Sequence, residues 1–341
     1  MNILTICYQN ESFTDQTPTS VAPIDDADAE MTGAAAILVQ FLTSIVLHRF
    51  TPLTPMSAAA FWSRKRLFFG AMAVLLAGGA AWGLKELDAK QRVWIFQPSN
   101  RTWPGANTAG MQEVDIPYTT RSGQKVQLHG LWMPAARAKA PQLLFLHGAR
   151  WNVTGSSPRI RRLNELGFSV LAVDYRGFGK SSHALPSEST ATEDARAAWD
   201  WLARKSPGQP RYIFGHSLGG AIAIDLARSV KDEKGVLVES TFTNIPDVFD
   251  SMRWGWLPVD WLITQRFDSI DKVADIGSPL LVVHGTADPL IPSRLGQQLF
   301  DAAKEPKRFI LVDGATHHNT QARAMDEYRK ALRELFELNP R

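Results

Sequence analysis

Residues 212–224 read YIFGHSLGGAIAI and decide the fold. An apolar run leads straight into Gly215-His216-Ser217-Leu218-Gly219, and a helical pattern follows. The order strand, tight turn, helix is typical of a mostly parallel sheet covered by helices. On such a turn the serine is strained and exposed, and glycine lies two residues to either side because neighbouring backbone passes too close for a side chain. The helix N-terminus also favours negative charge. Ser217 is therefore the candidate nucleophile, and the alternative is a structural turn with an idle serine.

On both sides of this stretch, apolar runs alternate with helical patterns, which predicts an α/β fold. We expect an antiparallel hairpin at Ser122-Gly123, followed by six buried strands. The predicted strands are 113–118, 125–133, 143–146, 169–173, 212–214, 236–238, 280–283 and 309–312. They form a mostly parallel eight-stranded sheet, flanked by predicted helices at 158–166, 193–205, 218–230, 293–303 and 320–338.

A nucleophilic serine needs a histidine base and an acid that orients it, expected in the order acid, then histidine. Asp288 follows the seventh predicted strand in the segment HGTADPLIP, at the carboxyl edge of the sheet. The last strand leads into DGATHHN, which holds two histidines. We predict His317 as the general base because it lies three residues after Gly314, the spacing found in related sequences. His318 is the alternative.

Two backbone N–H groups should stabilise the oxyanion of an acyl-transfer reaction. One belongs to Leu218, directly after the nucleophile, and the other is expected from the loop after the first parallel strand. That loop begins HGARWN at 147–152, and Ala149 is the predicted second donor. We interpret His147 as a residue that orders this loop, not as a second base.

Together these residues resemble the α/β-hydrolase superfamily over 113–338, and within it the membrane-anchored bud-emergence-type hydrolases and their protein-depalmitoylating relatives. The shared motifs are HGARWN, DYRGFGKS, GHSLGG, ESTFTNI and HGTADPLIP. The resemblance implies hydrolysis of an ester, thioester or amide without metal or organic cofactor, and one N-terminal anchor. One departure concerns Ala149-Arg150-Trp151-Asn152, where the family often has Asn-Ala-Gly-Asn. A bulky cation at this point narrows the acyl pocket or attracts an acidic substrate.

The predicted catalytic domain, 111–341, carries a short cap insertion at about 242–278. The insertion is rich in aromatic residues, namely Phe242, Phe249, Trp254, Trp256, Trp261 and Phe267. These either line an acyl or aromatic pocket or bury the insertion against the core. A short cap leaves the site open, which suits a peptide-linked or lipid-linked substrate at a membrane. The predicted partner is a small-molecule or lipid-linked ester or thioester substrate. A connector at 85–110 precedes the domain.

Residues 67–84 read LFFGAMAVLLAGGAAWGL, without charge, after the basic triplet Arg64-Lys65-Arg66. A helix of that length spans about 27 Å, enough for the hydrocarbon core of a bilayer. We therefore predict a single-pass transmembrane anchor at 61–84, with a cleaved signal segment and a buried core helix as alternatives. The basic flank stays cytoplasmic, which places the catalytic domain on the non-cytoplasmic side. Cleavage would instead give a secreted or periplasmic protein.

Residues 1–55 are predicted to be a poorly structured extension. Met56 begins a segment that reads as a complete targeting region, so one hypothesis is that translation starts there. Peptides from before Met56 in the native protein would contradict this hypothesis. If the weaker apolar run at 34–47 also spanned the membrane, the catalytic domain would face the opposite side.

Composition narrows the function classes. The formal net charge is only +3 and the basic residues are scattered, so nucleic acid is not an expected partner. The single cysteine, Cys7, excludes an intramolecular disulfide and a cysteine-based metal site. The sequence thus favours a serine hydrolase that cleaves a carboxylic ester or thioester with the triad Ser217, His317 and Asp288. A serine peptidase and a non-catalytic, membrane-tethered binding protein are the alternatives.

Overall fold

The structure, a computed structural model, describes residues 58–252 and 255–340. The predictions for 1–55, the Met56 start and Trp254 lie outside the described residues. The chain divides into two compact units, Met1–Leu76 and Ala77–Arg341. The first is described only as the beginning of a helix.

Helix α1, Ala58–Phe96, extends well beyond the predicted segment 61–84. Residues 85–96, which we predicted as connector, are helical, because strong helix formers such as Lys85 and Glu86 follow the apolar run and neither glycine nor proline interrupts them. The helix ends before Pro98, since proline disfavours helical backbone in the residue that precedes it. The part Phe68–Phe96 is long and apolar enough to cross a membrane, and its most apolar stretch is unburied.

The eight strands form one sheet, in the order β1-β2-β4-β3-β5-β6-β7-β8. The pairs β1–β2 and β2–β4 are antiparallel and all others are parallel, which confirms the predicted architecture. The strands are β1 Gln112–Thr119, β2 Lys125–Met133, β3 Gln142–Leu146, β4 Ser169–Val173, β5 Arg211–His216, β6 Glu233–Glu239, β7 Leu280–Gly285 and β8 Lys307–Val312.

Helices cover both faces of the sheet. They are α2 Ser157–Glu165, α3 Glu188–Lys205, α4 Leu218–Ser229, α5 Ile245–Asp250, α6 Ser293–Ala302, α7 Thr320–Arg323 and α8 Met325–Leu335. Within the described residues, short 3-10 helices lie at Val153–Ser156, Asp260–Leu262 and Val273–Asp275. The single closing helix predicted at 320–338 is two helices, because the backbone of Ala324 leaves helical geometry between them.

The core lies on both faces of the sheet. Strand β3 is buried along its whole length, with Leu144 and Leu146 in one hydrophobic cluster and Leu143 and Phe145 in the other. Successive side chains of a strand point to opposite faces, so a strand covered on both faces reads as a continuous apolar run. The parallel strands end at one edge of the sheet, where their loops carry the candidate site residues.

Candidate active site

Ser217 lies between the end of β5 and the start of α4, with φ at 56° and ψ at −124°. This is a strained conformation for a residue with a side chain. A Cβ added at Gly219 would lie 2.1 Å from the Leu146 carbonyl oxygen, and one added at Gly215 would lie 2.3 Å from the Gly219 oxygen. The two glycines of the motif are therefore required by close backbone contacts.

Hydrogen bonds from three elements hold this strained turn. The Ser217 N–H donates to the Glu239 carbonyl at 2.9 Å. The Ser217 carbonyl accepts from Thr241 Oγ1 at 2.9 Å and from the Gly220 N–H at 2.8 Å. Ser217 itself is only half-buried, whereas His216 before it is buried. The surroundings thus stabilise an unfavourable backbone and leave the candidate nucleophile accessible.

His317 and Asp288, predicted from separate loops, lie together. His317 Nδ1 is 2.8 Å from Asp288 Oδ2, and the Asp288 side chain is fully buried. Burial alone would raise the pKa of Asp288, but hydrogen bonds from His284 and His317 outweigh it and hold the pKa well below its usual range. An ionised Asp288 requires the His317 proton on Nδ1, which leaves Nε2 free to accept a proton.

Asp288 has further donors on both carboxylate oxygens. Oδ1 accepts the backbone N–H groups of Leu290 and Ile291, each at 2.9 Å. Oδ2 lies 3.4 Å from Nε2 of the buried His284, a residue to which the sequence gave no role. Because donors contact both of its oxygens, the Asp288 carboxylate is held in one orientation and in its ionised form.

The structure places His317, and not His318, against the acid. His318 is exposed, and its carbonyl accepts Arg159 Nη2 at 3.3 Å. His216 Nε2 donates to the His317 carbonyl at 3.0 Å, and the two rings lie 5.0 Å apart. Burial, reinforced by the charges of Arg159 and His317, lowers the pKa of His216 well below its ordinary value. A neutral His216 thus links the residue before Ser217 to the loop of the candidate base.

The loop after β3 lies against Ser217, the candidate nucleophile. A Cβ added at Gly148 would be 3.0 Å from the Ser217 Cβ. The neighbouring Ala149 is half-buried, and Leu218 is the first residue of α4, where N–H groups have no acceptor within the helix. His147 is held by its own contacts, since its carbonyl accepts the Tyr175 hydroxyl at 3.0 Å. Leu218, one predicted oxyanion donor, thus directly follows Ser217, and Ala149, the other, directly follows a residue that contacts it.

A second buried acid braces the same loop. Asp174 Oδ1 accepts the Val153 N–H at 2.6 Å and lies 3.5 Å from His147 Nε2, while Oδ2 lies 3.1 Å from His129 Nδ1. Burial would raise the pKa of Asp174, but hydrogen bonds from His129 and His147 lower it. The sequence motif DYRGFGKS contains this acid, but only the fold shows its partners.

The departure from the family motif has a structural explanation. Arg150 and Trp151 have φ values of 70° and 58°, which turn the chain outward. The Arg150 N–H donates to the Phe96 carbonyl at 2.9 Å, and Arg150 Nε donates to Gln97 Oε1 at 2.9 Å. The Trp151 ring packs edge-on against Trp103 at 4.5 Å. The Arg-Trp pair therefore attaches the predicted oxyanion loop to the end of α1.

An ion cluster centred on Glu239, not predicted from the sequence, lies behind the site. The Glu239 side chain is fully buried, and its Oε1 accepts Arg159 Nε at 3.0 Å and Nη2 at 2.9 Å. Its Oε2 accepts the Tyr328 hydroxyl at 2.7 Å. Arg159 also donates to the His318 carbonyl, so the cluster fixes the loop that carries the candidate base.

We expect Glu239→Gln to lower the free energy of unfolding by about 3 kcal/mol or more, because it leaves the Arg159 charge buried without its carboxylate. Denaturant unfolding of the full-length protein in detergent measures the change. Asp200→Asn is the matched control, since the Asp200–Arg196 pair is about half exposed and should contribute under about 1 kcal/mol. Equal effects of the two substitutions would contradict the role of the cluster.

Among residues 58–252 and 255–340, no group of three histidine, cysteine or acidic side chains is arranged to hold a metal ion.

Comparison with known proteins gives matches across the catalytic region. A sequence family described as Hydrolase_4, "Serine aminopeptidase, S33", matches residues 137–270. An uncharacterised protein of Mycobacterium tuberculosis is 32% identical over 254 residues, which cover 74% of this chain and 88% of the relative. The lysophosphatidylserine lipase ABHD12 of Danio rerio is 34% identical over 186 residues, which cover 49% of this chain and 48% of the lipase.

A solved structure shares the fold. The esterase Pf2001 of Pyrococcus furiosus superposes with a TM-score of 0.57 at 21% identity, covering 70% of this chain and 98% of the esterase. At this identity the likeness concerns the arrangement of strands and helices.

Proposed function

The chain belongs to the α/β-hydrolase superfamily and is a hydrolase, and on that premise we propose that it cleaves a carboxylic ester or thioester through an acyl-enzyme on Ser217. The observation that carries the proposal is the strained backbone of Ser217. Strain of this kind persists only where surrounding structure imposes it, and it is concentrated at active sites.

In the proposed mechanism, His317 Nε2 takes the proton of the Ser217 hydroxyl as its oxygen bonds to the substrate carbonyl carbon. The Leu218 and Ala149 N–H groups stabilise the resulting oxyanion. The carbonyl reforms, the bond to the leaving alcohol or thiol breaks, and His317 passes the proton to that group. Water then attacks the acyl-enzyme by the same route and releases the acid. Asp288 stabilises the imidazolium in both halves.

The proposed substrate is a small-molecule or lipid-linked ester. Two observations support a lipid: an apolar helix long enough to cross a membrane, and similarity to a protein named as a lysophosphatidylserine lipase. Only about half of that lipase is matched, so the class of substrate is proposed and not the individual lipid. Exposed Arg150 at the oxyanion loop favours an ester that carries an anionic group.

Turnover of matched substrates by the full-length protein in detergent tests this function. We expect p-nitrophenyl esters and an acyl thioester to be hydrolysed faster than the corresponding p-nitroanilide, with the preferred acyl length reporting the size of the pocket. Faster cleavage of the anilide would instead support the peptidase alternative. A folded protein that hydrolyses none of them would support a binding protein.

We also propose that α1 is a single-pass anchor, with the catalytic domain on the non-cytoplasmic side. Recovery of peptides from 67–84 in the membrane-bound native protein would support the anchor. A mature N-terminus just after Ala81 would contradict it and support a cleaved signal segment.

A further inference from the structure

The cap carries large apolar side chains that the proposed chemistry does not use. Trp256 is 73% exposed, Trp261 is 79% exposed and Met252 is 52% exposed. Scattered apolar residues on a protein surface are ordinary. Three within ten residues of one short insertion indicate a surface that contacts a membrane or a partner molecule. Met252, Trp256 and Trp261 together form the cap apolar patch.

The Trp261 side chain is suited to insertion into a membrane interface. Its ring is the most exposed of the patch, yet its indole N–H donates to the Pro258 carbonyl at 3.1 Å. Burying a polar group without a partner is costly, so a tryptophan that enters a bilayer interface benefits when its N–H is already satisfied. Tryptophan is also enriched at membrane–water interfaces.

The patch is joined to α1 by hydrogen bonds. Gln91 Nε2 donates to the carbonyl of Leu262, the residue after Trp261, at 2.7 Å. Gln91 Oε1 accepts the Thr264 N–H at 2.9 Å, and Asp88 Oδ1 accepts the Thr264 hydroxyl at 2.6 Å. The cap segment beside Trp261 is therefore held at a defined height along the helix.

That height matches the depth of a membrane interface. On α1, Trp82 and Leu84 are each 58% exposed, and the apolar run ends at Leu84. Asp88 and Gln91 lie four and seven residues later, about 6 and 10 Å along the helix axis. The headgroup layer of a leaflet is about 5 to 8 Å thick. Measured from Leu84, Asp88 lies within that layer and Gln91 lies just beyond its outer surface. A bilayer that contains the apolar run would therefore bring its headgroups to the level of the Asp88–Thr264 contact, three residues from Trp261 in the cap.

We propose that the cap apolar patch inserts into the headgroup region of the same bilayer that α1 crosses. The inference rests on the anchoring proposed above. Because the Arg150 N–H is bonded to Phe96 at the end of this helix, the predicted oxyanion loop lies on the part of the domain tied to α1. The arrangement would let a lipid ester reach Ser217 from the membrane without crossing bulk water.

Fluorescence quenching tests the contact without requiring catalysis. The full-length Cys7→Ser protein would carry Trp256→Cys or Trp261→Cys, each labelled with the fluorophore NBD and inserted one chain per phosphatidylcholine nanodisc. Lys304→Cys is the control, because Lys304 is exposed and lies three residues before β8, at the opposite edge of the sheet from the strand ends that carry the site. Lipids with a nitroxide near the headgroup serve as quenchers.

We expect blue-shifted emission and strong nitroxide quenching at positions 256 and 261, and neither at 304. Quenching at 256 and 261 no greater than at 304 would overturn the proposal. Blue-shifted emission without lipid quenching would also overturn it, because the tryptophans would then line the substrate pocket. An inactive protein that still shows lipid quenching would leave this inference standing and contradict only the proposed hydrolysis.

Discussion

Ser217→Ala is expected to reduce kcat by about 10⁴- to 10⁶-fold, because it removes the atom that forms the acyl-enzyme. The loss should appear in kcat more than in KM, since the oxyanion donors and the pocket remain. Labelling with a fluorophosphonate probe, followed by ester turnover, measures it.

The matched control is Ser229→Ala, at the other end of α4, where the hydroxyl is exposed and donates only to the Leu226 carbonyl within the helix. Labelling should vanish in Ser217→Ala and persist in Ser229→Ala. A Ser217→Ala protein that still reacts with the probe would show that another residue is the nucleophile.

Asp288→Asn should cost about 10⁴-fold in kcat. The side-chain oxygen of asparagine can still accept the Leu290 and Ile291 N–H groups, so the loop keeps its shape. Its amide group would then face His317 Nδ1 with a donor. This favours the proton on Nε2, the nitrogen that must accept the Ser217 proton. The low pKa of Asp288 keeps the wild-type carboxylate ionised at neutral pH, so this contrast applies under ordinary assay conditions.

Asp313→Asn is the control for this substitution. Asp313 is exposed in the loop of the candidate base, and its carboxylate accepts the Thr286 hydroxyl at 3.2 Å. Unfolding midpoints of both variants separate an effect on chemistry from an effect on stability. Turnover by Asp288→Asn within a few-fold of wild type would remove Asp288 from the mechanism.

Local features of the sequence were enough for the fold and for most of the candidate site. The alternation of apolar runs and helical patterns predicted the eight strands because those periods follow from the geometry of each element. The turn at Ser217 could be recognised from the sequence because it requires glycine at fixed positions. A side chain at those positions would collide with backbone a few residues away or in the adjacent strand. Asp288 and His317 could be predicted as candidates because, in this kind of sheet, the loops that carry site residues follow strand ends.

The spacing from Gly314 favoured His317 in the sequence but left His318 open, and the contact with Asp288 was shown only by the tertiary structure. His317 and His318 are adjacent in the sequence, and the position of Asp288 distinguishes them. The cluster of Glu239 with Arg159 and Tyr328 could not be predicted from local sequence patterns either. Its two partners are 80 and 89 residues away from the glutamate in the sequence.

The contacts between α1 and the rest of the domain were decided in the same way. The apolar run ends at Leu84, yet the helix continues to Phe96. Its last turns are fixed by contacts with Arg150 and with the cap segment at Thr264. The sequence by itself therefore determined the order of elements and predicted the candidate residues of the site, through short-range periodicity and turn chemistry. Only the tertiary structure decided which distant side chains pair and where α1 contacts the rest of the domain. Residues that are far apart in the sequence can pair without producing any periodic pattern in it.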